Sequence, residues 1–110
     1  MEKLTDVNFA TEIKAKGGIA VVDFSAGWCG PCRSLAPHFE AMSKEFEGRA
    51  RFYKCDIEEA EETAAELGVM TVPMVIIFRE GEVADQHLGF ARGSDKEKIA
   101  EKVRVVVGDK

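Results

Sequence analysis

Residues 19–32 read IAVVDFSAGWCGPC. The first part, 19–26, is dense in β-branched residues and reads as a central strand, although it carries one carboxylate, Asp23. The second part sets Cys29 and Cys32 around a Gly30–Pro31 pair. A disulfide needs Cβ atoms about 3.5–4.5 Å apart. Side chains three apart inside a regular helix hold theirs about 5–6 Å apart. The two cysteines can therefore join only if Cys29 lies outside the regular turn. Gly30 relaxes the backbone there, and Pro31 suits a first helical position. The stretch predicts strand, turn and helix, with Cys29 at or just before the cap and Cys32 in the first turn.

That placement carries chemistry. Unpaired N–H groups and the positive end of the helix dipole stabilise a thiolate. Cys29 is the candidate nucleophile, flanked by a surface-lying Trp28, and Cys32 is the candidate resolving thiol, nearer the interior. The strand leads straight into this helix, so its C-terminal half should lie beneath the sulfurs. A buried Asp23 would have a raised pKa and could serve as general base for Cys32, directly or through a water. Lys54, on the next strand, is its candidate partner. The bland readings are weaker. Zinc would want four ligands, and beyond the pair there are Cys55, His38 and His87, at spacings that form no second ligand pair. A structural disulfide closing so small a ring would restrict the unfolded chain little.

Working outward, the elements alternate. Phe9 and Ile13 stand four apart in LTDVNFATEIKAK, predicting a short helix capped by Thr5 or Asp6. Leu35, Phe39, Met42 and Phe46 give an amphipathic helix over 31–46 that Pro37 should kink. ARFYKCDI, 50–57, reads as a strand in which Cys55 packs as a small hydrophobe. EEAEETAAEL, 58–67, reads as a helix with acidic residues in its first turn and Gly68 as its stop. PMVIIFREGEVADQHLGF holds two strands about a Glu80–Gly81 turn. Ser94-Asp95-Lys96-Glu97 has the capping-box form, ahead of Ile99, Val103 and Val106 on a last helix. With a small strand at 2–4, this predicts an α/β fold in one domain, 1–110. Its mixed four- or five-stranded sheet is parallel in the middle and ends in a hairpin, with helices on both faces.

Composition narrows the classes. The chain has 110 residues, 45% hydrophobic and 32% charged, with 20 acidic against 15 basic side chains and a net charge of −5. No basic cluster stands out, which speaks against nucleic acid. No stretch approaches the roughly 18 apolar residues of a membrane span. MEKLTDVNFA has no signal-peptide form. Three cysteines, two of them tightly spaced, do not make a secreted disulfide framework, so the expected setting is reducing and cytoplasmic.

The chain resembles the thioredoxin family along essentially its whole length. VVDFSAGWCGPC, the proline of LAPHF, Lys54 in YKCDI, Val72-Pro73 in MTVPMVIIF, the GEV hairpin and Gly89 occur in the family's order. The resemblance implies a sheet with four helices and a protein-disulfide reductase acting as a monomer. It implies no bound cofactor, with electrons supplied by a thioredoxin reductase and disulfide-containing proteins as clients. It also implies a cis Val72–Pro73 bond and a client groove of Trp28, Gly30, Pro31, Val72, Pro73 and Gly89. The chain departs from the common pattern at Ser25, at Met74 and at Phe90, and its loop through Gly93 is slightly long. An exposed Phe90 would enlarge the apolar rim beside Cys29. Two rival functions are a module that holds one partner on the same patch and a thiol oxidant or isomerase. Gly-Pro between the cysteines leans against the oxidant.

Overall fold

The computed structural model describes residues 1–91 and 93–108. Its strands are β1 (Glu2–Leu4), β2 (Ile19–Ser25), β3 (Arg51–Asp56), β4 (Met74–Arg79) and β5 (Glu82–Leu88). They form one sheet in the order β1-β3-β2-β4-β5. β2 runs parallel to β3 and antiparallel to β4, and β5 closes the far edge antiparallel to β4. The mixed sheet anticipated from the element order thus has five strands among the described residues. The helices are α1 (Gly30–Glu45), α2 (Glu61–Leu67) and α3 (Ser94–Val107), with a π-helical segment at Ala10–Ala15.

Strand alternation divides the core. Val22 and Phe24 face one layer with Phe9, Ile13, Ala60 and Ala64, under the π-helical segment and α2. Val21 faces the other with Leu35, Phe39, Ile99 and Val103, under α1 and α3. Both faces of β2 are therefore dry, which explains its continuous β-branched run. Asp23 projects from this strand on the α1 side, directly across the ladder from Lys54 on β3. α1 runs through Pro37 without a break.

Three helix starts differ from the sequence reading. The first helix starts at Ala10, not near Thr5, and no side chain caps it. Its Lys16 N–H reaches back to Thr11 O at 3.2 Å, a bond spanning five residues. Asp6 is used elsewhere. Its carboxylate accepts from the backbone N–H groups of Glu62 and Thr63 and from the Thr63 hydroxyl, at 3.3, 2.8 and 2.7 Å. Asp6 thus satisfies the N-terminal donors of α2, a helix whose own preceding residue, Ala60, has no side chain able to do so. These bonds hold the Asp6 carboxyl below its usual pKa.

α2 also begins three residues later than read. The Asp56 carboxylate accepts from Glu58 N–H at 2.8 Å, and a turn over 57–59 takes the first acidic residues out of the helix. Gly68 does stop it, with φ +73 and Val69 N–H bonding to Ala64 O. The expected capping box of α3 does not form. Gly93 is the cap residue, and Ser94 already lies within the helix. Asp95 turns instead to the preceding loop and strand, accepting from Ala91 N–H at 2.9 Å and from His87 Nε2 at 3.0 Å. Lys102 Nζ donates to the other ring nitrogen at 3.2 Å. The His87 ring is therefore largely covered. The long loop anticipated through Gly93 includes Arg92, which lies outside the described residues.

Candidate functional site

The end of β2 and the start of α1 build the site. Cys29 is the N-cap of α1, in extended conformation (φ −93, ψ 112). Gly30 and Pro31 follow as the first helical residues, and Cys32 completes the turn. Cys29 and Cys32 are joined as a disulfide with Cα atoms 5.3 Å apart. The Cys29 sulfur also accepts from Cys32 N–H at 3.2 Å. A sulfur in the place of a capping oxygen meets the free donors of a helix start, the setting that favours a thiolate once the bond is reduced. α1 carries no acidic residue in its first turn, so the helix itself sets no carboxylate against that charge.

Exposure does not separate the two cysteines as the sequence reading supposed. Cys29 is 4% exposed and Cys32 5%. Cys29 is covered from the side by the loop before β4, with its Sγ 3.8 Å from Val72 O. Both pack with Ala26, Ile57 and Val72 in a small apolar cluster of their own. The Val72–Pro73 bond is cis, and Gly89 N–H donates to Pro73 O at 2.8 Å, tying the loop after β5 to this wall. Trp28 stands beside the pair, 68% exposed.

Beneath the cysteines lies a cleft of about 160 Å³ whose walls include Asp23, Ser25, Cys32, Arg33 and Lys54. Asp23 is 2% exposed, and its Oδ1 has no hydrogen-bond partner among the described residues. Burial pushes its carboxyl up to about 6, with Lys54 pulling the other way. The spacing of β2 and α1 thus brings a carboxyl that changes charge near neutrality to the same cavity as Cys32.

Phe90 is not in the cysteine cluster. It is half-buried against the α1–α3 core, its ring tilted over His38 with centroids 5.6 Å apart. The imidazole on α1 offers a flat partner, so the ring packs there rather than at the Cys29 rim. Phe90→Ala is expected to lower thermal stability while changing reduction rates equally across client proteins. Unequal rates in a panel of disulfide substrates would put Phe90 in the client groove after all.

Cys55 is fully buried in β3, and burial pushes its thiol up to about 12. It is protonated and out of reach, as expected of a packed cysteine. Sequence reading missed the polar cluster around Glu12, a buried carboxylate. Lys16 Nζ, Tyr53 OH and Arg51 meet its side chain or carbonyl at 2.8–3.1 Å. The only sequence trace is a Glu–Lys pair four apart, which is common on exposed helices. Among the described residues no three His, Cys, Asp or Glu side chains converge as a metal site, and no helix is long and apolar enough to cross a membrane.

Comparison with known proteins agrees with this geometry. The family model described as Thioredoxin matches residues 1–105. A thioredoxin of Staphylococcus saprophyticus is 41% identical over 99 residues, 90% of each chain. One of Staphylococcus aureus is 40% identical over the same share. A solved chain superposes with a TM-score of 0.84 at 26% identity, covering 96% of this chain and 94% of its own. It comes from work on the structural basis of the thiol resolving mechanism in yeast mitochondrial 1-Cys peroxiredoxin via glutathione/thioredoxin systems.

Proposed function

The chain belongs to the thioredoxin family, and on that premise we propose how its residues divide the work. The family and the Cys29–Cys32 pair make it a protein dithiol–disulfide oxidoreductase, acting as a protein-disulfide reductase. In the proposed cycle the Cys29 thiolate attacks one sulfur of a client disulfide, forming a mixed disulfide as the client's S–S bond breaks and its other sulfur leaves as a thiolate that takes up a proton. Cys32 gives its proton to the Asp23 carboxylate and attacks Cys29 Sγ. The client's sulfur leaves as a thiolate and takes up a proton, and two electrons have passed from the dithiol to the client. Lys54, across the ladder from Asp23, favours the ionised carboxylate in which Asp23 accepts that proton.

The observation that carries this reading is the joint placement of Cys29 as helix cap and Asp23 in one cleft with Cys32. The client segment is proposed to lie over Trp28, Gly30 and Pro31 and to pair with the backbone at Val72, beside Pro73 and Gly89. Electrons would return from a thioredoxin reductase. A monomer working in the cytoplasm, with all of residues 1–110 as one domain, completes the reading.

Insulin reduction with dithiothreitol, comparing the wild type with Cys29→Ser, separates an exchange catalyst from a holding module. NADPH oxidation with a thioredoxin reductase then fixes the direction of electron flow. Trp28, the only tryptophan, gives a fluorescence signal for the state of the pair. Equal activity of the two proteins would overturn the assignment.

A further inference from the structure

We propose that Arg33 is a positioning residue for the resolving step, its guanidinium clipped over the mouth of the Asp23–Cys32 cleft to hold a positive charge where the second sulfur becomes anionic. The proposal rests on the exchange cycle above and adds a residue to it. Arg33 follows Cys32 directly in the first turn of α1. A cation there opposes the helix dipole and is no help to the helix. An arginine placed for solubility alone would extend into water. Instead Nη1 donates to Gly27 O at 3.0 Å, folding the side chain back across the turn that precedes Cys29. That turn is itself closed by Cys29 N–H bonding to Ala26 O at 3.2 Å.

The charged groups that face the cleft come from each element packed around it: Asp23 from β2, Lys54 from β3 and Arg33 from α1. Lys54 is the cation opposite Asp23 in the ladder, on the carboxylate side. Arg33 is the cation next to Cys32 in the chain and shares the cleft wall with it. In the resolving step the Cys32 proton goes to Asp23, the Cys32–Cys29 bond forms, and the Cys29–client bond breaks. Negative charge on the Cys32 sulfur builds before that new bond is made, and a fixed guanidinium lowers the energy of that charge. Arg33 is exposed, so its field acts through partly aqueous surroundings and is weakened by salt.

The reduced protein mixed with 5,5′-dithiobis(2-nitrobenzoate) reads both exchanges by absorbance. The first coloured thiolate marks attack by Cys29, and the second marks release from the mixed disulfide by Cys32. At pH 7 and low ionic strength, Arg33→Gln is expected to slow the second phase about threefold, and Arg33→Glu about tenfold. Arg33→Lys should keep most of the wild-type rate, and the differences should shrink towards ~1 M salt, where screening acts within about 3 Å. A second phase in Arg33→Gln equal to that of the wild type at low salt would overturn the inference. So would a slowing that Arg33→Lys shares and salt does not alter, since that would make Arg33 a brace for the turn. A wild type with no first phase would instead overturn the exchange cycle itself, which these two outcomes leave intact.

Discussion

Cys32→Ser is expected to stop the cycle halfway, with client proteins accumulating as covalent adducts on Cys29. The first attack needs only the capping sulfur, which the serine variant keeps. The second needs a thiol already held one helical turn away, and no solution thiol matches the effective concentration of a group so placed. Turnover should fall by more than about a hundredfold, with adducts visible on non-reducing gels and cleared by dithiothreitol. Cys29→Ser should fall as far but trap nothing. The remaining Cys32 is not the cap residue, so the free donors of the helix start do not favour its thiolate as they do that of Cys29. Equal trapping by the two variants would overturn the division of roles.

Asp23→Asn is expected to make the protein more stable and slower at once. The folded state holds the Asp23 proton up to about 6, against an ordinary value of 3.8. Between those values the unfolded chain has released the proton and the folded one has not. The unfolded state then binds fewer protons, so stability falls as pH rises through that window and stays lower above it. The difference corresponds to about 3 kcal/mol at full effect, an upper figure given residual access of water to the cleft. Below about pH 4 the variant and the wild type should unfold at similar denaturant concentrations, and above about pH 7 the variant should be the more stable by about 2–3 kcal/mol. Its resolving step should be slower by about a hundredfold at pH 7 and lack the inflection near 6 expected of the wild type. A variant no more stable than the wild type at pH 8 would mean that Asp23 is solvated in the folded protein.

These two variants probe the part of the site most legible in the sequence. The position of Cys29 follows from the geometry of a three-residue spacing and from Gly30 and Pro31, all within one turn. Asp23 stands out because an ionisable group interrupts a strand that is otherwise apolar. Periodicity likewise revealed the core faces of α1 and α3, with Leu35, Phe39, Ile99 and Val103 buried as read. The caps were the weakest part of the reading. A local pattern such as Ser94-Asp95-Lys96-Glu97 is only one way to satisfy a helix start, and Asp95 found better partners in Ala91 and His87. The cover over Cys29 was missed for a similar reason. The loop that covers Cys29 arrives from Val72, 43 positions away.

By itself the chain of residues determined the order of elements, the dry central strand and the seat of the cysteine pair, because each depends on side-chain pattern or on bond geometry within a few residues. Only the tertiary structure decided that Asp6 caps a helix 56 residues on, that Phe90 rests on His38, and that Arg33 bonds back to Gly27 O. Those arrangements depend on which surfaces packing brings together. A hydrogen-bonding group or an aromatic ring takes the partner that burial leaves nearest, and one-dimensional spacing does not encode that distance.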